Sequence, residues 1–360
     1  MNIVIFSPTL KATTGSPIRA FNIIEGLTRY STDNNIILVS SAFDDNLIDK
    51  YKCYLIGDHG IEKALEIAVK ENNADVLFCI THGYANIVSK VSKLFKIPFF
   101  VDIHGIRTLE ILEEQSSLSV KAESIRECFP WFFGLLRAKN IFCANPMLYI
   151  WLRRLLGNKV ISLCGITDVL NFECVNNKSD CVKVLYAGNL RYYQGVDLLL
   201  DAINIIGNRS DFKFYILGDI GMSEKLKSKV ASLKNRSNVV FVPPISYNKY
   251  PSFLCLMDVF IVPRRNSLTT YMAFPQKLVE AMSAGKCVIA TNISPHKFAL
   301  TNPDCGILCS PNSHSIAEAI IKTKNGKLRR KLGKIARIKA LKNYDVQVQI
   351  SKILHCFSEV

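Results

Sequence analysis

The feature that most constrains this chain is an alternation, met twice, of short apolar runs with stretches of helical period. Residues 2–7, 36–40, 53–56, 75–80 and 97–102 read as strands, and the segments between them carry apolar residues at helical spacing, as with Ile18, Phe21, Ile24 and Leu27. A polar stretch at 171–180 interrupts the pattern, and it then restarts: strands at 183–187, 213–217, 238–242, 258–262 and 286–290, helices at 196–206, 223–233, 250–256 and 276–284. Several of these runs are apolar throughout, which suits strands buried on both faces of a parallel sheet. Repeated β–α–β units predict doubly wound parallel sheets, one on each side of the polar break. A length of 360 residues, 49% hydrophobic and 21% charged, gives each half enough apolar material for its own core and excludes a disordered chain. The expected division is a first domain at 1–168, a linker at 169–182, a second domain at 183–343, and a helix at 344–360 that returns toward the first domain.

The most informative stretch is the strand, loop and helix from Asp258 to Ala290. Asp258-Val-Phe-Ile-Val-Pro263 is a buried strand closed by a proline, and a doubly basic loop with Arg264 and Arg265 follows. Pro275 stands where a first helical turn starts, and Gly285 stands where a left-handed cap ends the helix. In open α/β sheets ligands bind beyond the carboxyl ends of the strands, where helix N-termini offer N–H groups and partial positive charge to a phosphate. Lys277 opposes the helix dipole unless an anion is bound there, and Glu280 shares its face. A plain surface Lys–Glu pair satisfies the same spacing, so the two readings stand level on these residues alone.

The segment Phe274-Pro-Gln-Lys-Leu-Val-Glu-Ala-Met-Ser-Ala-Gly-Lys-Cys-Val-Ile-Ala resembles the donor-nucleotide segment of family 4 glycosyltransferases, retaining and metal-independent enzymes of the GT-B fold. The resemblance extends from Met1 to about Tyr344. Gly15-Ser-Pro-Ile-Arg19 is similar to the family's loop over the donor diphosphate, although one glycine before a helix is also an ordinary strand–helix turn. Asp102-Ile-His104-Gly105 is similar to a recurrent family segment, and a histidine at a strand's carboxyl end is placed to hydrogen-bond a sugar hydroxyl; a lone histidine is as often a local structural donor. Gly188-Asn-Leu with Gln194-Gly195, and Leu217-Gly218-Asp219, sit where the family carries its first two nucleotide-side loops.

What the resemblance implies is two Rossmann-like domains facing across a cleft, with a nucleotide-diphosphate sugar on the second. Donor contacts would come from Gly15, Gly188, Asn189, Arg191, Gly218, Asp219, Arg265, Pro275 and Glu280. His104, Lys277 and Arg264 would act in the reaction, with Arg19, Asp102 and Gly105 on the acceptor side. No cofactor and no metal are implied, and the acceptor would be a glycan or a lipid-linked hydroxyl in surface polysaccharide or glycoconjugate assembly. The departures are specific. Family members usually carry Arg and Lys in the first loop to grip the diphosphate, and this chain has the neutral Asn189 and Gln194; the first glutamate of the usual pair falls at Met272. A sugar-nucleotide epimerase of the same shape, or a module that binds a sugar nucleotide or membrane without catalysis, are the alternatives these losses leave open.

Twelve cysteines are scattered with no C-x-x-C pair, which suggests reduced thiols acting as small hydrophobes. The net charge of +15 belongs almost wholly to the second half: residues 1–170 hold 18 basic and 17 acidic side chains, residues 171–360 hold 27 and 13. Ten bases and no acid lie between Lys322 and Lys342. A solvated helix face ranks first for this run, an anionic membrane contact close behind, and nucleic acid last because no aromatics are interleaved for stacking. The tryptophan-bearing segments at 131–136 and 147–152, each trailed by bases, fit either packed helices, which we favour, or a membrane interface. With no basic start or cleavage site after Met1 and no bilayer-length apolar run, the expectation is a cytoplasmic protein, or one peripheral at the inner face of the membrane.

Overall fold

A computed structural model describes residues 1–11, 15–31, 33–113, 117–174, 180–218, 224–233 and 237–360. The chain divides into two compact units, the first made of Met1–Ile166 with Val346–Val360, the second of Thr167–Asp345.

The sheet of the first unit contains β1 (Asn2–Phe6), β2 (Asn35–Ser40), β3 (Lys52–Leu55), β4 (Val76–Ile80), β5 (Phe99–Ile103), β6 (Asn140–Cys143) and β7 (Val160–Ser162). Their order is β3-β2-β1-β4-β5-β6-β7, every pair parallel. The order reverses between β1 and β4, which is the switch point of a doubly wound sheet. Each residue of β4 and β5 is buried, which explains why these runs lack polar alternation. Helix Gly15–Tyr30 lies on one face beside helix Val346–Ser358. Their approach is close enough that a Cβ on Gly26 would meet Ile350 Cγ1 at 2.5 Å. Phe357 of that last helix reaches Phe78 and Phe100, with ring centroids 5.7 and 4.7 Å away, so the C-terminal segment completes this core.

The second unit has β8 (Val182–Ala187), β9 (Phe212–Leu217), β10 (Val239–Val242), β11 (Val259–Val262), β12 (Cys287–Thr291) and β13 (Gly306–Cys309) in the order β10-β9-β8-β11-β12-β13. All pairs are parallel, and the switch point lies between β8 and β11. Helix Val196–Ile206 buries Leu199, Leu200, Ile203 and Ile206 against Phe212, Phe214 and Ile216. Helix Gln276–Ser283 follows Pro275 and is buried over Leu278–Ser283, and the chain turns at Gly285 with φ +64°.

Cys174 and Cys255 form a disulfide, 81 residues apart, where the sequence suggests reduced thiols throughout. The pairing joins two loci that no local spacing connects. Six of the other described cysteines, among them Cys79, Cys143 and Cys287, are buried free thiols. Among the described residues no helix is long and apolar enough to cross a membrane.

Candidate functional site

In the second unit three loops leave the carboxyl ends of β8, β9 and β11 and are pressed together through glycines. Gly195 has φ +69°, and a Cβ there would lie 2.0 Å from the Pro263 carbonyl oxygen. Gly218 has φ +138°, and its Cβ would lie 2.0 Å from the Gly188 carbonyl oxygen. Only a residue without a side chain permits either approach. Arg265 N–H donates to the Tyr193 carbonyl at 3.0 Å, and Gly188 N–H to that of Leu217 at 3.0 Å. Asp219 lies outside the described residues.

Arg264 ties these loops together. Its Nε donates to Gln194 Oε1 at 3.0 Å and its NH1 to the Ala273 carbonyl at 2.9 Å, so one guanidinium joins the turn after β8 to the segment entering helix Gln276–Ser283. Gln194 thus supplies an acceptor to a neighbouring arginine at the place where the family resemblance leads one to expect a cation. The Arg264 backbone carbonyl accepts from Thr291 Oγ1 at 2.6 Å, and His296 Nδ1 donates to the Thr291 carbonyl at 2.7 Å. His296 is fully buried with its Nε2 unpartnered, and burial, reinforced by the Arg264 charge, lowers its pKa to about 3. Arg265 is differently engaged: it pairs with Asp197 and stacks over the Tyr192 ring at 4.1 Å. Asn189 accepts from Tyr186 Oη through its backbone carbonyl at 2.5 Å, while its side-chain Oδ1 is buried without a partner. Arg191 precedes the turn Tyr192–Gln194 and is half-buried.

The Lys277–Glu280 pair is no surface pair. Glu280 is fully buried, and Lys277 Nζ lies 3.4 Å from its Oε2, an ion pair without hydrogen-bond geometry. Glu280 Oε1 accepts from Tyr247 Oη at 3.4 Å, and Oε2 accepts no hydrogen bond. The Lys277 ammonium sits over the face of Tyr250, 3.6 Å from the centroid, and 5.8 Å from that of Tyr247. The buried Tyr250 hydroxyl also lacks a partner; burial, then the Glu280 charge, holds its pKa well above the usual phenol value. A buried carboxylate oxygen without a hydrogen bond costs up to roughly 1–3 kcal/mol, a cost that the nearby ammonium offsets in part and that hydroxyl donors from a ligand remove. Pro275 caps this helix, its carbonyl accepting from Leu278 N–H at 3.1 Å. Sequence reasoning passed over Tyr247, Tyr250 and His296. The two tyrosines look like core aromatics at helical spacing, and nothing local in sequence connects them to a glutamate thirty residues on.

In the first unit Asp102, at the end of β5, accepts from Arg19 Nε at 2.8 Å and NH2 at 2.7 Å, and its Oδ2 lies 3.3 Å from His104 Nδ1. Arg19 NH2 also donates to the Leu163 carbonyl at 3.0 Å. Burial alone would raise the Asp102 pKa, but the Arg19 and His104 partners outweigh it and hold the carboxyl at about 2. Arg19 and Asp102 are therefore an interior pair that orients the His104 ring, whose side chain is 22% exposed and is the member able to touch a ligand. Gly105 follows in the same loop, and Gly15 is the first residue of helix Gly15–Tyr30. At the β1–β4 switch point Thr81 has φ +145°, and His82 packs edge-on against Trp131 at 4.7 Å, its pKa lowered to about 3 by burial and then by His104. Neither residue stood out in the sequence. Among the described residues no three His, Cys, Asp or Glu side chains gather to hold a metal ion.

Two parallel doubly wound sheets, each with glycine-bearing loops at its switch point, make the fold that of GT-B glycosyltransferases. Sucrose-phosphate synthase from Thermosynechococcus elongatus superimposes with a TM-score of 0.82 over 99% of this chain and 98% of its own, at 16% identity. Anabaena HepE in complex with UDP-glucose superimposes at 0.79 over all of both chains, at 15% identity. Residues 171–339, which lie within the second unit, match the family Glycosyl transferases group 1. The chain is 26% identical over 239 residues to an uncharacterized glycosyltransferase of Methanocaldococcus jannaschii, MJ1178, a match that spans 66% of this chain and 62% of that protein.

Proposed function

We propose that this protein is a retaining, metal-independent family 4 glycosyltransferase that moves a hexosyl group from a nucleotide-diphosphate sugar to a hydroxyl of a glycan or lipid-linked acceptor. The observation that carries the reading is the buried Glu280, with one oxygen that accepts no hydrogen bond, ion-paired with Lys277 at the start of a helix inside the group 1 segment. Two adjacent ribose hydroxyls supply the donors that this carboxylate lacks. Lys277 and the first-turn N–H groups then face the diphosphate, and Arg264, held by Gln194 and Ala273, takes the place of the missing loop cations.

In the transfer, the bond from the anomeric carbon to the diphosphate oxygen breaks and its electron pair stays with the diphosphate. The acceptor oxygen bonds to the anomeric carbon and its proton passes to the departing diphosphate. Negative charge grows on the leaving group, so preorganised cations and N–H dipoles lower the barrier. His104, steadied by Asp102 and Arg19, orients an acceptor hydroxyl. UDP-glucose, the molecule bound by HepE, is the first donor to try.

The test is a panel of nucleotide sugars with and without glycan and lipid acceptors in the presence of a chelator, reading free nucleotide and, by NMR, the anomer formed. Nucleotide released only with acceptor, giving a product of the donor's anomeric configuration, is the expected result. Product of inverted configuration, or loss of turnover with chelator, contradicts it. Turnover without acceptor points to epimerisation, and binding without turnover points to a module that has lost catalysis.

A further inference from the structure

We infer that the outward face of helix Gly326–Asn343 is a docking surface for an anionic lipid membrane. The ten bases of this region divide into two groups. Arg337 donates to the Phe172 carbonyl at 2.7 Å and to that of Ser283. Lys339 is buried, its Nζ donating to the Thr301 carbonyl at 2.5 Å and the Phe298 carbonyl at 3.3 Å. Arg329 donates to the carbonyls of Thr323 and Lys324, and Lys324 pairs with Asp211 at 3.0 Å. Arg337, Lys339 and Arg329 are tied to backbone carbonyls, and Lys324 is spent in a surface ion pair. Lys322, Lys327, Arg330, Lys331, Lys334 and Lys342 are exposed, and no acid occurs between Lys322 and Lys342.

The exposed side chains are not scattered. At 3.6 residues per turn, positions 327, 330, 331, 334, 338, 341 and 342 fall within about 120° of one another around the helix. Leu332, Gly333, Ala336, Lys339 and Ala340 line the opposite, buried side. A Cβ on Gly333 would lie 2.0 Å from the Gly285 carbonyl oxygen, so this inner face is seated closely against the unit and leaves the basic stripe turned out. Within the stripe Ile338 is 56% and Leu341 40% exposed. Lysines and arginines that bracket aliphatic side chains at one end of a stripe suit a bilayer interface, where the bases meet headgroup phosphates and the aliphatics enter the acyl boundary. The helix carries no aromatic residue, so it lacks the platforms on which nucleic-acid bases stack. Its first turn holds Lys327 and Arg329 and no acid, which repels the helix's own positive end until an anionic surface lies nearby. The surface stands whether or not the chain transfers sugar.

The full-length protein is sedimented with phosphatidylcholine vesicles, with and without a third of phosphatidylglycerol, over a range of salt. Binding only to the anionic vesicles, weakening with salt, is expected. Lys327→Glu/Lys331→Glu/Lys334→Glu should lower the partition coefficient on the order of a hundredfold, and Ile338→Ser/Leu341→Ser should lower it without altering the salt dependence. All five positions are on the surface; circular dichroism checks the fold, and Lys→Gln versions replace any variant that misfolds. Equal binding to neutral vesicles, no binding to anionic ones at low salt, or triple variants that bind like the parent overturn the inference. So does loss of binding in Trp151→Ala/Leu155→Ala equal to that of the triple variant, which moves the contact to the first unit, or preference of the stripe for an oligonucleotide over vesicles.

Discussion

At the scale of single residues, four side chains near the candidate site have polar atoms that the fold buries without a hydrogen bond: Glu280 Oε2, the Tyr250 hydroxyl, His296 Nε2 and Asn189 Oδ1. All four lie in the unit that matches the group 1 family, and each is an atom that a bound ligand or water satisfies at little reorganisation cost. His296 also carries a pH signature. It is neutral when folded, with its pKa lowered to about 3 from an ordinary 6.5, first by burial and then by Arg264. Between these values the unfolded chain binds a proton that the folded chain does not, so stability rises with pH across the window and falls on acidification below about 6.5. His82 acts with the same sign. We expect the denaturation midpoint to drop as pH goes from 7 to 5, and His296→Gln to flatten that slope. A variant with the parent's full pH dependence would show that His296 does not titrate as described.

At the scale of elements, the strand–loop–helix segments explain both what the sequence revealed and what it hid. The apolar runs at 75–80, 183–187 and 258–262 announced parallel strands because strands covered on both faces need no polar alternation. Helix 196–206 was legible to its last residue, since its apolar stripe and closing Gly207 are local signals. The site was legible only as types and spacing. That Lys277 and Glu280 share a face follows from helical period, but the burial of Glu280 and the tyrosines beside it depend on a segment thirty residues away. Likewise the neutral Gln194 in the first loop reads from sequence as a lost cation, and its contact with Arg264, which follows another strand, is not a local signal. The Cys174–Cys255 pairing was invisible for the same reason. Gly195 and Gly207 separate local from long-range demands, since both have positive φ but only Gly195 abuts another loop. Gly207→Ala should cost about 1–3 kcal/mol from the backbone alone, its ψ of −164° lying in a region open essentially to glycine, and leave donor binding unchanged. Gly195→Ala should cost roughly 2–3 kcal/mol and weaken donor binding, because Pro263 and the Arg264 loop must retreat. Donor affinity unchanged in Gly195→Ala, or lowered as much in Gly207→Ala, would contradict this account of the packed loops.

At the scale of the molecule, two sheets of the same winding divide the labour by sequence half. The second carries the charge excess and the group 1 match; the first holds His104 on its Arg19–Asp102 support and draws its last core residues from the C-terminal segment. The proposed transfer reaction depends on the second unit holding a nucleoside diphosphate through Lys277 and Glu280. Calorimetric titration of UDP, with other nucleoside diphosphates in parallel, into the parent, Lys277→Ala and Glu280→Ala tests that most directly. The account predicts saturable binding by the parent and at least about tenfold weaker binding in each variant, the loss of one charged hydrogen-bonding partner. Binding that is unchanged in both variants, with their folds intact, would contradict it.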